Sequence, residues 1–205
     1  MQKNQLPKPS SPAYTIGIWV LTFFLLVFAG SIRAQEVYNA SDPNIKVLGT
    51  SNLHNWSMET KEISCSARFG FASDGSLPQF LTALELSIPV HNLKSGESSM
   101  DSRAYNAMKA DKFGMITFSS ASAVIVPGQR NQFQIKSTGS LKIAGATQPV
   151  TLIVACQVNA DGSIVCKGSQ QIKMTDYQIK PPSFMLGALK TGDELTINFS
   201  MIFKK

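Results

Sequence analysis

Two imidazoles, three thiols and a pair of adjacent carboxylates are the groups in this 205-residue chain best placed to do chemistry near neutral pH. His54 stands in the stretch GTSNLHNWSMET, Gly49 to Thr60, two residues before Trp56. An imidazole there could move a proton, but general base catalysis also needs a nucleophile or a partner acid to act on. Neither His54 nor His91 has one beside it in sequence, their neighbours being Leu53 and Asn55, and Val90 and Asn92. The chain has no G-x-S-x-G, no H-E-x-x-H and no glycine-rich phosphate loop after a strand. Asp193 and Glu194 sit at a turn before a strand, where charge marks solvent. A metal would need His54 to converge with His91 or Asp101, and nothing in their spacing brings them together. The reading is therefore of a protein that is not an enzyme, with no catalytic residue, no metal ligands and no cofactor.

The cysteines Cys65, Cys156 and Cys166 make no CxxC or zinc spacing. In PVTLIVACQVNADGSIVCKG, apolar Val150, Leu152, Val154, Cys156 and Val158 alternate with other residues, a turn follows, and Ile164 and Cys166 resume the parity. A hairpin that pairs Val158 with Ile164 sets Cys156 opposite Cys166. Three readings stand: a disulfide between Cys156 and Cys166, two small apolar residues on a wall, or a bridge that involves Cys65.

The elements that must hold these groups are nearly all strands. FLTALELSIPVHNL places Phe80, Leu84, Leu86, Ile88 and Val90 on one face, with Thr82 the exception. ISCSARFGF does the same with Cys65, Ala67, Phe69 and Phe71, and ELTINFSMIF with Leu195, Ile197, Phe199, Met201 and Phe203. Further strands are expected near 45–48, 53–60, 115–126, 132–143, 149–158 and 164–174, separated by turn-forming SDGS, PGQRN, AGATQP and NADGS. That makes eight or nine antiparallel strands. SSMDSRAYNAMKADKF is the one helical segment, with Ser98 as its cap, Asp101 favouring the first-turn amides, and Met100, Ala104, Ala107 and Met108 facing the sheet. With strand parity, His54, Trp56 and Met58 share an inner face.

Residues 1–34 read as a secretory signal peptide: Lys3 and Lys8 precede the apolar run Ile16 to Gly30, and cleavage is placed after Ala34. Ile32 breaks the usual small-residue pattern, so an uncleaved amino-terminal anchor is the alternative. Residues 35–205 then form one domain. The leader carries three bases and no acids out of totals of 19 and 13, so the remainder has a charge of about +3, spread over single lysines, and a nucleic-acid partner is not indicated. The sequons at Asn39, Asn55 and Asn198 are read as chance occurrences.

So many antiparallel strands either stack as a sandwich or close as a barrel. A barrel of about eight strands is filled by side chains or holds one slender ligand. Eight methionines suit an adaptable cavity, and serve equally as gap fillers in a core. Trp56 is open to the same two readings.

Three ordered segments carry a family resemblance: IPVHNLKSGESSMDSRAYNAMKADKFGMITFSS, then GSLKIAGATQPVTLIV, then KMTDYQIKPPSFMLGALKTGDELTINF. Together they resemble the YceI-like proteins over Ile45 to Phe203. Gly114 stands where many such proteins carry proline, which loosens that helix exit, and GTSNLHNW is similar to one branch of the family rather than its commonest form. The resemblance implies a lipocalin-like, eight-stranded antiparallel barrel in the bacterial periplasm, with a lumen that takes a polyprenyl lipid or a quinone tail and no catalytic residues.

On that footing the candidate ligand-binding wall is Trp56, Met58, Phe69, Phe71, Leu84, Leu86 and Phe118. Met174 and Tyr177 belong to the same lumen set, while Met100, Tyr105, Met108, Phe113, Phe184 and Met185 are expected at a cap or mouth, and His54 as a polar anchor for a head group. The expected partner is an isoprenoid or other lipid, with the membrane met only transiently and the protein a monomer or homodimer. A barrel filled by its own side chains, acting as an envelope interaction module, is the alternative.

Overall fold

The computed structural model describes residues 35–71 and 77–205. The expected leader and the SDGS turn lie outside the described residues. The described chain is an antiparallel β-barrel with one α-helix. In order it runs β1 (Gln35–Ser51), β2 (Trp56–Thr60), β3 (Ser64–Phe71), β4 (Pro78–Pro89), α1 (Ser98–Met108), β5 (Met115–Ser120), β6 (Ala123–Pro127), β7 (Gln132–Ile143), β8 (Ala146–Val158), β9 (Ile164–Lys173), β10 (Ser183–Phe184) and β11 (Leu189–Lys204).

Eight places make the circuit. β2 and β3 pair with successive stretches of β1, at Ile45–Gly49 and Gln35–Asn39, and so act as one interrupted strand. β5 and β6 likewise share the place between β4 and β7. β7, β8, β9 and β11 follow, each antiparallel to the one before, and β11 returns to β1 from Asn39↔Lys204 to Ser51↔Thr191, which closes the ring. Closure leaves the long strands without free edges.

Alternation holds along most of the wall: buried Phe133, Ile135 and Ser137 alternate with exposed residues on β7, and Val150, Val154 and Cys156 do so on β8. Two departures correct the sequence reading. Thr82 is skipped in the β3–β4 register, where Arg68 pairs with Ala83 and Phe69 with Leu81. This bulge flips the parity, so Leu81 is buried in place of Phe80, whose ring instead covers Gly70. The strand expected over 115–126 breaks after Ser120. Its buried hydroxyl accepts from Ser137 Oγ at 2.8 Å and reaches the Ser122 and Thr138 carbonyls, satisfying groups that leave the ladder there.

One end of the barrel is packed solid. Tyr38 and Phe69 meet edge to face at 5.5 Å, Phe69 and Phe203 at 6.1 Å, with Phe133 and Ile164 buried beside them. The other end is where β1 turns into β2, where α1 is inserted between β4 and β5, and where β9 leads to β11.

A candidate lipid-binding lumen

α1 lies over the open end and turns Met100, Ala104, Ala107 and Met108 towards the interior, as its apolar spacing predicts. Its anchoring differs from expectation. Glu97, not Ser98, holds the cap position and makes no side-chain cap bond. The Asp101 carboxylate, buried, accepts from the Ser95 amide at 2.8 Å and the Ser95 hydroxyl at 2.7 Å, tying the helix to the loop before it. Tyr105 points away from the lumen: its hydroxyl donates to the Leu93 carbonyl at 2.7 Å and lies 3.0 Å from that of His91, whose ring meets its own edge to face at 4.7 Å. Expected in the mouth, Tyr105 instead fastens α1 to the turn after β4, because that turn offers bare carbonyls to a phenol.

Beneath α1 is a cavity of about 360 Å³ that runs down to the aromatic floor. Its wall includes Trp56, Met58, Phe69, Leu84, Leu86, Met100, Met108, Phe118, Met174 and Tyr177 of the expected set, and His54 at its edge. Phe71 and Phe113 do not line it. Phe71 follows a register shift after Gly70 and packs on Tyr38 at 5.9 Å, at the closed end. Phe113 covers Gly145 in the β7–β8 turn, with Lys112 Nζ 5.2 Å from its ring. Phe184 and Met185 lie outside the side chains that the structure describes. The sequence reading passed over much of the wall, notably Ile45, Val47, Leu141, Ile143, Leu152, Ile172 and Ile197. Their signal was the same alternation that located the strands.

Room for the cavity comes from glycine. The Trp56 ring lies across Gly49, its cross-strand partner, and the Phe199 ring across Gly168, also a direct partner. A side-chain carbon at either glycine would overlap the ring, so large aromatics lie flat against backbone and leave the centre open. The Trp56 indole also donates to the Thr50 carbonyl at 3.0 Å, which fixes the ring's rotation.

His54 is not on a strand, as the parity reading had it. Ser51 Oγ accepts from the Leu53 and His54 amides at 3.2 and 3.1 Å and donates to the His54 carbonyl at 2.7 Å, folding 51–54 into a tight exposed turn; β2 begins at Trp56. His54 Nδ1 lies 2.9 Å from the Asn55 carbonyl. Polar wall residues are few and gather at the mouth: Ser51, His54, Arg103, Lys190 and Thr191, with Gln170 the remaining one. No Asp or Glu lines the cavity among the described residues. Nor, among these residues, is there a cluster of three His, Cys, Asp or Glu side chains able to hold a metal.

Cys156 and Cys166 are register partners, as are Val158 and Ile164. Their sulfurs stand 2.6 Å apart, and both thiols, with Cys65, are buried and free. Burial pushes the Cys65 thiol up to about 12, helped by Cys166. Cys166 is also raised, first by its hydrogen bond with Cys156 and then by burial.

Known structures with this architecture were found. Burkholderia cenocepacia BcnA aligns with a TM-score of 0.61 at 18% identity, covering 78% of this chain and 95% of its own. A polyisoprenoid binding domain from Saccharophagus degradans aligns at 0.60 and 11%, covering 84% and 98%. The Campylobacter jejuni YceI protein aligns at 0.52 and 19%, covering 76% and 85%. At these identities the likeness is one of fold. A search of curated proteins gave no match. The sequence profile of the YceI-like domain matches residues 41–203, nearly the whole barrel, and the chain belongs to that family.

Proposed function

We propose that this protein binds a long-chain amphipathic isoprenoid, a polyprenyl lipid or a quinone, inside the barrel, for transport, storage or sequestration in the periplasm. The observation that carries this reading is the lumen itself: about 360 Å³, walled by aliphatic, methionine and aromatic side chains, floored at one end and with its polar residues, Gln170 apart, at the other. A cavity of that size falls in the range of ligand sites, roughly 300–1,000 Å³. Each methylene buried contributes roughly 0.8 kcal/mol, so a chain laid in such a tube is held with few polar contacts and needs no catalytic group. The Saccharophagus degradans relative, a polyisoprenoid binding domain, supports the choice of ligand.

The test is native mass spectrometry of the protein recovered from cells without detergent, followed by organic extraction. A stoichiometric adduct with an isoprenoid fragmentation ladder is expected. A polypeptide that is bare, and stays bare after incubation with polyprenyl phosphates and quinones, would overturn the reading. A second reading, an envelope interaction module, is favoured by one observation: exposed Val124 and Val126 stand on the outer wall of β6, and exposed Ile153 stands on β8 across Lys136 from Val124. Substituting Val124 and Ile153 with serine should leave lipid content unchanged if the lumen is the working site.

A further inference from the structure

A bound isoprenoid has to reach the lumen from a lipid phase, and the rim is built accordingly. Two of the most exposed large apolar side chains among the described residues, Leu186 at 109% and Leu53 at 66%, stand on neighbouring loops there. Leu186 occupies the tip of the hairpin formed by β10 and the start of β11, where Ser183 pairs with Lys190 and Phe184 with Leu189. Leu53 is in the turn between β1 and β2. Asn52 clips the two loops together: its side-chain amide donates to the Ala188 carbonyl at 2.7 Å, its carbonyl accepts from the Lys190 amide at 3.0 Å, and its own amide donates to the Lys190 carbonyl at 3.1 Å.

Leu186 is unfavourable for the isolated protein twice over. It presents an apolar side chain wholly to water, and it does so with φ of 57°, a left-handed conformation that suits glycine or asparagine better than leucine. Exposed Lys180 and Lys190 flank the hairpin, and Arg103 faces the mouth from α1. The first acid along β11, Asp193, is turned aside to the Thr175 amide and hydroxyl, at 2.9 and 2.6 Å.

We infer that the Leu53–Leu186 rim, with Lys180 and Lys190, is a docking surface for an anionic lipid bilayer, which seats the mouth on the membrane while ligand passes between bilayer and lumen. The apolar tips enter the interface and the lysines meet lipid phosphates, an arrangement that adds a hydrophobic and an electrostatic contribution. The inference rests on the lipid-binding reading for its purpose, not for its test.

The experiment is flotation of the full protein as recovered from cells, its amino terminus determined by mass spectrometry. The vesicles are phosphatidylcholine, with and without phosphatidylglycerol. Leu186→Asn is the informative variant, because asparagine tolerates the left-handed backbone and the fold should be kept, as circular dichroism would confirm. Expected are binding to the anionic vesicles, about a ten-fold weakening in Leu186→Asn, and a Lys180→Glu protein whose binding depends less steeply on salt than that of the wild type. Loading of a decaprenyl quinone from detergent micelles should be equal in wild type and Leu186→Asn, and loading from vesicles slower in the variant. A wild type that does not float, a Leu186→Asn protein that floats as well, or retention by a membrane protein and not by lipid would overturn docking. Failure to load from either source would instead count against the lumen as a lipid site, while flotation still decides the rim.

Discussion

Trp56 does two things at one position: its indole N–H is spent on the Thr50 carbonyl, and its ring roofs Gly49 while lining the lumen. Trp56→Ala should therefore lower ligand retention by a large factor while the strand signal in circular dichroism survives, since the residue is only half buried. Loss of the strand signal would assign it to the core instead. Phe118, at 4% exposure, is embedded more deeply, and Phe118→Ala is expected to cost about 3–5 kcal/mol in stability by urea unfolding as well as ligand. The thiols give a second residue-scale prediction. In an oxidising compartment Cys156 and Cys166 are set to bond, so alkylation after denaturation should then count one thiol without reductant and three with it. Cys65 has a pH consequence. Its pKa rises from 9.0 to about 12 on folding, so above pH 9 the unfolded chain gives up a proton that the folded one keeps. That contribution to stability is intact below pH 9 and is lost as pH climbs towards 12, to the extent of roughly 1.4 kcal/mol per pH unit. Cys65→Ala should flatten the alkaline limb of a stability profile.

At the scale of the element, β11 leans on glycine. Gly168→Val puts a branched side chain where the Phe199 ring lies, and a loss of about 1–3 kcal/mol is expected, read as a lower Tm. Tyr105→Phe removes the phenol that fastens α1 to the Leu93 carbonyl, and amide exchange in Ser98–Met108 should accelerate while the barrel strands stay protected. The elements themselves were legible in the sequence because a half-buried strand leaves a period of two, and the lone exception noticed on β4, Thr82, is where the bulge sits. The Cys156↔Cys166 register was legible for the same reason. Misplacement came where parity has no authority. His54 falls in a turn made by a serine hydroxyl, Phe71 follows a register shift, and Tyr105 and Phe113 lie on α1 and in the loop after it, where the nearest free carbonyl or glycine decides the direction of a side chain.

For the whole molecule, the distribution of polarity is the informative quantity. Apolar wall residues are spread over every strand place of the barrel, whereas the polar ones, Gln170 apart, gather at one rim. Replacing a single wall residue should thus shift affinity by steps, and no one substitution should abolish binding outright, a pattern to be checked by titrating a panel of wall variants with one quinone. The sequence could show the residue types but not this sorting, because position along the barrel axis depends on register across strands far apart in the chain.

The seam that closes the ring joins β1 to β11, the first and last long strands, so nearly the entire chain must exist before the wall is complete. Contacts of such sequence separation form slowly, because the intervening chain has to be ordered first. A nascent or partly delivered chain has an open sheet and no interior at all. The interior is consequently a property of the finished wall, and on the lipid-binding reading proposed above a ligand can enter only after the β1–β11 seam has formed.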